Sequence, residues 1–300
     1  MYFARGLKNP VHALRGLTLN IKPGSIVGLL GPNGCGKTTA ISCLTGFLYP
    51  QSGNILLFNE PVAKAVTRTW RNPIGIVMED TRLPPYLTVK TALVSVCRLR
   101  NISSSQISKE MDRIIEEAGI NQFLSLRISG LSKGQARRVG VAAAMVSDPP
   151  LLIMDEPASG MDVSSREEFN NLIRQLKNGR RTILITSHLL IDVENTCSHI
   201  AIMQDGCIKV YDETQRLISS KNENDIDIFI HENHADNLQK LGLNFSTSKY
   251  SGLIMLTPTD IPAHQTLGLL SEHQIVPQRI TPRADLIRYY LEVTENKDQS

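Results

Sequence analysis

The chain has 300 residues, 41% hydrophobic and 20% charged, which supports a packed core and excludes a disordered or fibrous class. Lys plus Arg (32) nearly balances Asp plus Glu (29), and the longest basic tracts are "ARR" and "GRR", so nothing marks a nucleic-acid surface. No apolar run approaches the ~18 residues needed to cross a bilayer, the opening "MYFARGLKNP" does not read as a signal peptide, and five scattered cysteines without metal-ligand spacing read as reduced thiols of a cytoplasmic compartment.

In chain order, the first strong element is "SIVGLL" (25–30), a short apolar run that reads as a buried strand, with a helix-like stretch "KTTAISCLTGFL" after its loop. Between residues 88 and 147 the spacing becomes helical. There "SKEMDRIIEEAGI" sets Met111, Ile114, Ile115 and Ala118 on one face, so a helical insertion in an α/β core is expected. "LLIM" (151–154) and "TILIT" (182–186) read as further interior strands of a parallel sheet. "HIAIMQDGCIKVY" alternates around Asp205-Gly206, a hairpin signal. From 214 to 225 "TQRLISSKNEND" is polar and reads as a linker after a first domain over 1–213. Beyond it, strand-like "IDIFIH", helical "ADNLQKLG", then "GLIMLT", "AHQTLGLLSEHQIV" and a final helix at "RADLIRYYLEV" suggest a small α/β domain over 226–293, with a polar tail over 294–300. There is no internal repeat.

"GPNGCGKTT" fits G-x-x-x-x-G-K-[ST] and spans Gly31, Pro32, Asn33, Gly34, Cys35, Gly36, Lys37, Thr38 and Thr39. Its glycines let backbone N–H groups wrap phosphates, and the helix that follows aims its positive end at them. Lys37 offers a point charge to the β and γ phosphates, and the Thr38 hydroxyl suits a Mg²⁺ position. "LLIMDEP" supplies the acids. Asp155 leaves the end of an apolar strand, where a carboxylate can hold Mg²⁺, and Glu156 follows as a candidate general base.

The order "GPNGCGKTT", "LSKGQ", "LLIMDEP", "SGMD", "ITSH" resembles the nucleotide-binding subunits of ABC (ATP-binding cassette) transporters over about residues 6–212. The resemblance implies a P-loop cassette of α/β class with a mainly parallel core sheet, ATP and Mg²⁺ as ligands, and a separate membrane permease as partner. It also implies a second cassette subunit, since in this family the "LSGGQ"-type loop completes the partner's ATP site. Ser132, Gly134 and Gln135 would cap the γ-phosphate in trans, Asp162 would couple the two sites, and His188 would contact the γ-phosphate and hold the attacking water.

Two departures from the family stand out. Where it commonly has Gln, "IGIVMED" places Glu79, expected still to ligate Mg²⁺ although a carboxylate cannot donate hydrogen bonds. The aromatic that usually stacks on adenine is missing between residues 6 and 14. Tyr2 and Phe3 lie early, so His12 or Val11 is expected against the base. Relatives mostly have Ala or Ser where this chain has Cys35. That thiol, near a helix start and Lys37, is expected to be the most reactive of the five. "LSKGQARR", Glu79 and the C-terminal ending resemble exporter subunits for drugs, lipids or antibiotics, placed at the cytoplasmic face of a membrane. An importer subunit or a soluble cassette ATPase remains the alternative.

Overall fold

Six strands build the main sheet of the N-terminal half, and their order decides where the functional loops meet. The computed structural model describes residues 2–3, 11–62, 74–79, 83–177, 181–218, 226–243, 245–248, 253–256, 261–282 and 290, in two compact units, Met1–Asp212 and Glu213–Ser300.

The first unit opens with β1 (Tyr2–Phe3) paired antiparallel to β2 (Val11–His12), which sets Tyr2 opposite His12 in the ladder. Next comes β3 (Ile26–Leu30), buried throughout, followed by α1 (Lys37–Leu44). A small hairpin pairs β4 (Leu56–Leu57) with β5 (Glu60–Pro61) around Phe58 and Asn59, both at positive φ. After β6 (Ile74–Val77) the helical insertion follows as α2 (Val89–Leu99), α3 (Ser104–Ala118) and α4 (Lys133–Ala144), within the block where the sequence spacing turns helical. The unit then alternates β7 (Leu151–Met154), α5 (Val163–Leu176), β8 (Thr182–Ser187), α6 (Leu190–Glu194), β9 (His199–Gln204) and β10 (Cys207–Glu213).

Strand order is β10-β9-β3-β8-β7-β6, with β3, β6, β7, β8 and β9 parallel to one another. Parallel strands are covered on both faces, which explains the unbroken apolar runs of β3, β7 and β8. Because β3, β8 and β7 are adjacent, the loops leaving their carboxyl ends emerge side by side, where open α/β sheets bind ligands. The expected hairpin turn is present. Asp205 (φ 48°) and Gly206 (φ 78°) are both left-handed, as a two-residue turn between right-twisted strands requires. A side chain at Gly206 would strike Ala13 O at 2.7 Å, so only glycine lets this turn pack against residues 13–15.

An ionic cluster braces the insertion. On α3, Arg113 bonds Glu110 and Glu117 and donates to Met145 O at 2.9 Å. Buried Arg181, at the start of β8, bonds the same Glu117 and Asp148.

In the second unit, α7 (Thr214–Ile218) occupies the beginning of the stretch that reads as a polar linker, with Leu217 buried. Then β11 (Ile226–His231), α8 (Ala235–Lys240), β12 (Phe245–Ser248), β13 (Leu253–Leu256), α9 (Ala263–Glu272) and β14 (Arg279–Pro282) form an antiparallel sheet in the order β12-β13-β11-β14. This is the split β-α-β-β-α-β arrangement. Ile228, Ile230, Leu238, Ile254, Leu256 and Leu270 fill its core. The helix expected at "RADLIRYYLEV" lies outside the described residues except for Tyr290, as does the tail over 294–300.

Candidate functional site

The loop from Gly31 to Gly36 is shaped by what lies beneath it. A Cβ on Gly31 would stand 2.4 Å from Met203 O, and one on Gly36 would stand 2.6 Å from Ala13 O. Gly36 also holds φ 111° as the residue before α1, and Gly34 holds φ 79°. The two close approaches and the left-handed backbone leave glycine as the residue that fits, and the loop turns back on itself through a bond from Cys35 N–H to Pro32 O at 3.3 Å. Lys37 is buried and donates to Gly31 O at 2.7 Å and Pro32 O at 3.3 Å, so its ammonium is held inside the loop it serves.

Three strand ends supply the rest. Asp155 leaves β7, its N–H bonded to Val77 O at 2.8 Å. Its carboxylate accepts from Thr38 Oγ1 at 3.2 Å and from Thr186 Oγ1, at the end of β8, at 2.6 Å. Thr186 Oγ1 in turn accepts from Glu156 N at 2.8 Å. The fully buried Thr186 hydroxyl therefore joins both acids, a role that a reading of "ITSH" for its histidine alone passes over. Glu156 sits at φ 46°, a left-handed conformation costly for a non-glycine residue, at about 1–3 kcal/mol. The payload of that conformation is its carboxylate: Oε2 lies 2.8 Å from His188 Nδ1, where the ring N–H donates to it. Oε1 lies 3.5 Å from Lys37 Nζ and is buried without a hydrogen bond. Thus Lys37, Thr38, Asp155, Glu156 and His188, five residues singled out from sequence, stand together.

Mg²⁺ fits this donor set. Thr38 Oγ1 and Asp155 Oδ2 are hard oxygen donors side by side at the mouth of the loop. Among the described residues no group of three or more His, Cys, Asp or Glu could hold a metal, so an ion here needs oxygens from phosphate and water as well. The carboxylate of Glu79 reaches toward the 155–162 loop, accepting from Ser159 Oγ at 3.4 Å, while Arg137 clamps the backbone carbonyls of Met78 and Glu79.

Ser132 caps α4. Its Oγ accepts from Gln135 N at 3.3 Å, and its own N–H donates to Gln135 Oε1 at 3.0 Å, a complete capping box. Lys133 lies over the 155–162 loop, close enough that a Cβ on Gly160 would meet its Nζ at 2.2 Å. Asp162 is exposed and caps α5. Hydrogen bonds from the Ser165 N–H and hydroxyl hold its carboxyl below the ordinary range.

One expectation is overturned. Cys35 is 2% exposed and belongs to the core cluster with Val27, Ile41 and Met203, so the turn geometry of the loop directs its side chain inward. Residues at the start of the chain also meet differently from their spacing. Pairing of β1 with β2 brings Tyr2 and His12 to one rung and Phe3 and Val11 to the next.

Comparison with known proteins gives the same family by two routes. Residues 14–159 match the family described as ABC transporter. The chain is 34% identical over 205 residues to Nod factor export ATP-binding protein I of Cupriavidus metallidurans, covering 68% of this chain and 67% of that one. It spans about two thirds of the length of the Nod factor relatives it matches. With ABC transporter ATP-binding protein NatA of Bacillus subtilis it shares 30% identity over 220 residues, 73% of this chain and 89% of the relative. Among solved structures, cbiO1 from Clostridium perfringens, part of the ABC transporter complex cbiONQ, superposes with a TM-score of 0.66 at 27% identity, covering 80% of this chain and 94% of that one.

Proposed function

The chain belongs to the ABC transporter ATP-binding family, and we propose that it hydrolyses ATP to drive export through a membrane permease carried on a separate chain. The observation that carries this reading is the unbroken line Thr38–Asp155–Thr186–Glu156–His188 across three adjacent strand ends, beside a glycine cradle. The backbone N–H groups of residues 33–39 and Lys37 hold the phosphates. Mg²⁺ would be held by Thr38 and Asp155, with Glu79 as a further oxygen donor, and would supply charge neutralisation for the phosphates. Glu156 takes the proton of a water whose oxygen attacks the γ-phosphorus, the bond to the β-phosphate oxygen breaks, and ADP and phosphate leave. His188 fixes the carboxylate orientation through the bond to Oε2 and leaves Oε1 to receive the proton.

The capping box suits Ser132 and Gln135 to a role in trans. It uses the lone pairs of Ser132 Oγ and Gln135 Oε1, which leaves the Ser132 O–H and the Gln135 amide N–H groups as donors for a phosphate bound by a second subunit. Asp162, exposed and anionic, faces the same contact. The partner need not be identical. The exporter direction rests on the similarity to a Nod factor export ATP-binding protein, and a chain attached to such a permease would sit at the cytoplasmic face of a membrane. Mg-dependent phosphate release by the purified chain tests the chemistry: Glu156→Gln should lower turnover by at least ~100-fold while a fluorescent ATP analogue still binds. Equal turnover in both proteins refutes the assignment of Glu156.

A further inference from the structure

Outside the line described above, a half-buried arginine and a buried carboxylate face each other without closing a hydrogen bond. Arg166 Nε and Asp192 Oδ1 are each buried with no hydrogen-bond partner, and they lie 3.4 Å apart. Each is tied to a different functional loop. Arg166, on the first turn of α5, reaches Met161 O at 3.5 Å with its Nη2, and its N–H bonds Asp162 O at 3.0 Å. Asp192, on α6, accepts from Ser187 Oγ at 3.2 Å through Oδ2. Ser187 Oγ also accepts from Leu189 N at 2.9 Å, so one hydroxyl bridges the residues on both sides of His188. Burial pushes the Asp192 carboxyl up, with Arg166 and Ser187 opposing that shift, so the charged carboxylate depends on these neighbours.

We propose that Arg166 and Asp192 are positioning residues that link the turn at Met161–Asp162 to the backbone carrying His188. Displacement of Asp162 is carried by the Arg166 guanidinium to Asp192, from Asp192 to Ser187 Oγ, and so to the His188 ring on Glu156. The proposal rests on the reading of Glu156 and His188 as hydrolytic residues. It adds the pair Arg166 and Asp192 as the link between that turn and the backbone on either side of His188.

The test combines turnover with a spectroscopic signature that does not depend on turnover. Asp192→Asn and Arg166→Gln in the full chain should each lower kcat about tenfold, with KM for ATP within about twofold, because the phosphate loop is untouched. The double variant should be no slower than the slower single one, since both changes cut the same link. Asp192→Glu, which keeps the charge, should recover part of the rate. In parallel, the ¹⁵N signal of His188 Nδ1, identified by its loss in His188→Gln, should move in both single variants as the bond to Glu156 weakens. A lowered kcat with an unmoved His188 signal, a moved signal with unchanged kcat, or rate losses that multiply in the double variant would overturn the link. Should the unmodified chain show no Mg-ATPase while the His188 signal still moves, the hydrolytic reading fails and the structural link stands. An unmoved signal in that case overturns the link as well.

Discussion

At the scale of single residues, burial decides which side chains can act. The thiol in the phosphate loop looked exposed to reagents because its neighbours are small and polar, yet Cys35 faces the core. Cys43, Cys97 and Cys197 are buried too, and burial pushes all three thiols up. Only Cys207 is partly exposed. Brief maleimide treatment followed by peptide mass spectrometry should therefore modify Cys207 first and leave the other four until the chain unfolds. Mg-ATP should not alter that order, and early labelling of Cys35 would contradict the packing. Chemistry that depends on residue type at fixed spacing was legible in the sequence: a lysine after two glycines, two acids at a strand end, a histidine at another. Thr186, Ser187, Arg166 and Asp192 were not, because Thr, Ser, Arg and Asp occur everywhere. Their roles follow from which strand ends are neighbours.

Among elements, the insertion was legible from its 3.6-residue apolar spacing, whereas its attachment was not. The brace uses Arg113 and Glu117 from α3 but Asp148 before β7 and Arg181 beside the start of β8, positions that sequence pattern leaves blank. Arg181→Gln strips a buried cation from Glu117 and Asp148, both partly exposed, so we expect a loss of about 1–3 kcal/mol at neutral pH by urea unfolding. The pH dependence has a definite sign. Although burial raises the Glu117 carboxyl, hydrogen bonds from Arg181 and Arg113 outweigh it and hold the carboxyl below its ordinary value. A depressed carboxylate contributes stability above its unfolded pKa, and that contribution disappears as pH falls through the folded value. The difference between variant and parent should therefore be full at neutral pH and shrink in acid. A constant difference would assign the loss to packing alone. Short edge strands such as β12 and β14 escaped the sequence reading because strand pairing, rather than a strong apolar run, defines them.

For the molecule as a whole, the loop containing Ser132 and the loop containing Lys37 are expected to serve different nucleotides. Glu156→Gln keeps the phosphate contacts and removes the base, so Mg-ATP should accumulate a closed pair of subunits. Light scattering should then report a doubled mass that returns to the single-chain value when ATP is withdrawn. A single-chain mass at saturating Mg-ATP would refute capping in trans. Adding Ser132→Ala should weaken the pair, and the same change should cost about 1 kcal/mol of stability through the lost helix cap.

Glu156 carries a further consequence, for the breeding of hardier versions of this protein. Its left-handed backbone weighs against the folded state, and asparagine tolerates that conformation better. A library screened only for survival of heat should therefore enrich Glu156→Asn, with a melting temperature raised by roughly 2–4 °C per kcal/mol recovered. Those survivors should bind nucleotide and fail to turn it over, so heat resistance and transport would have to be selected together.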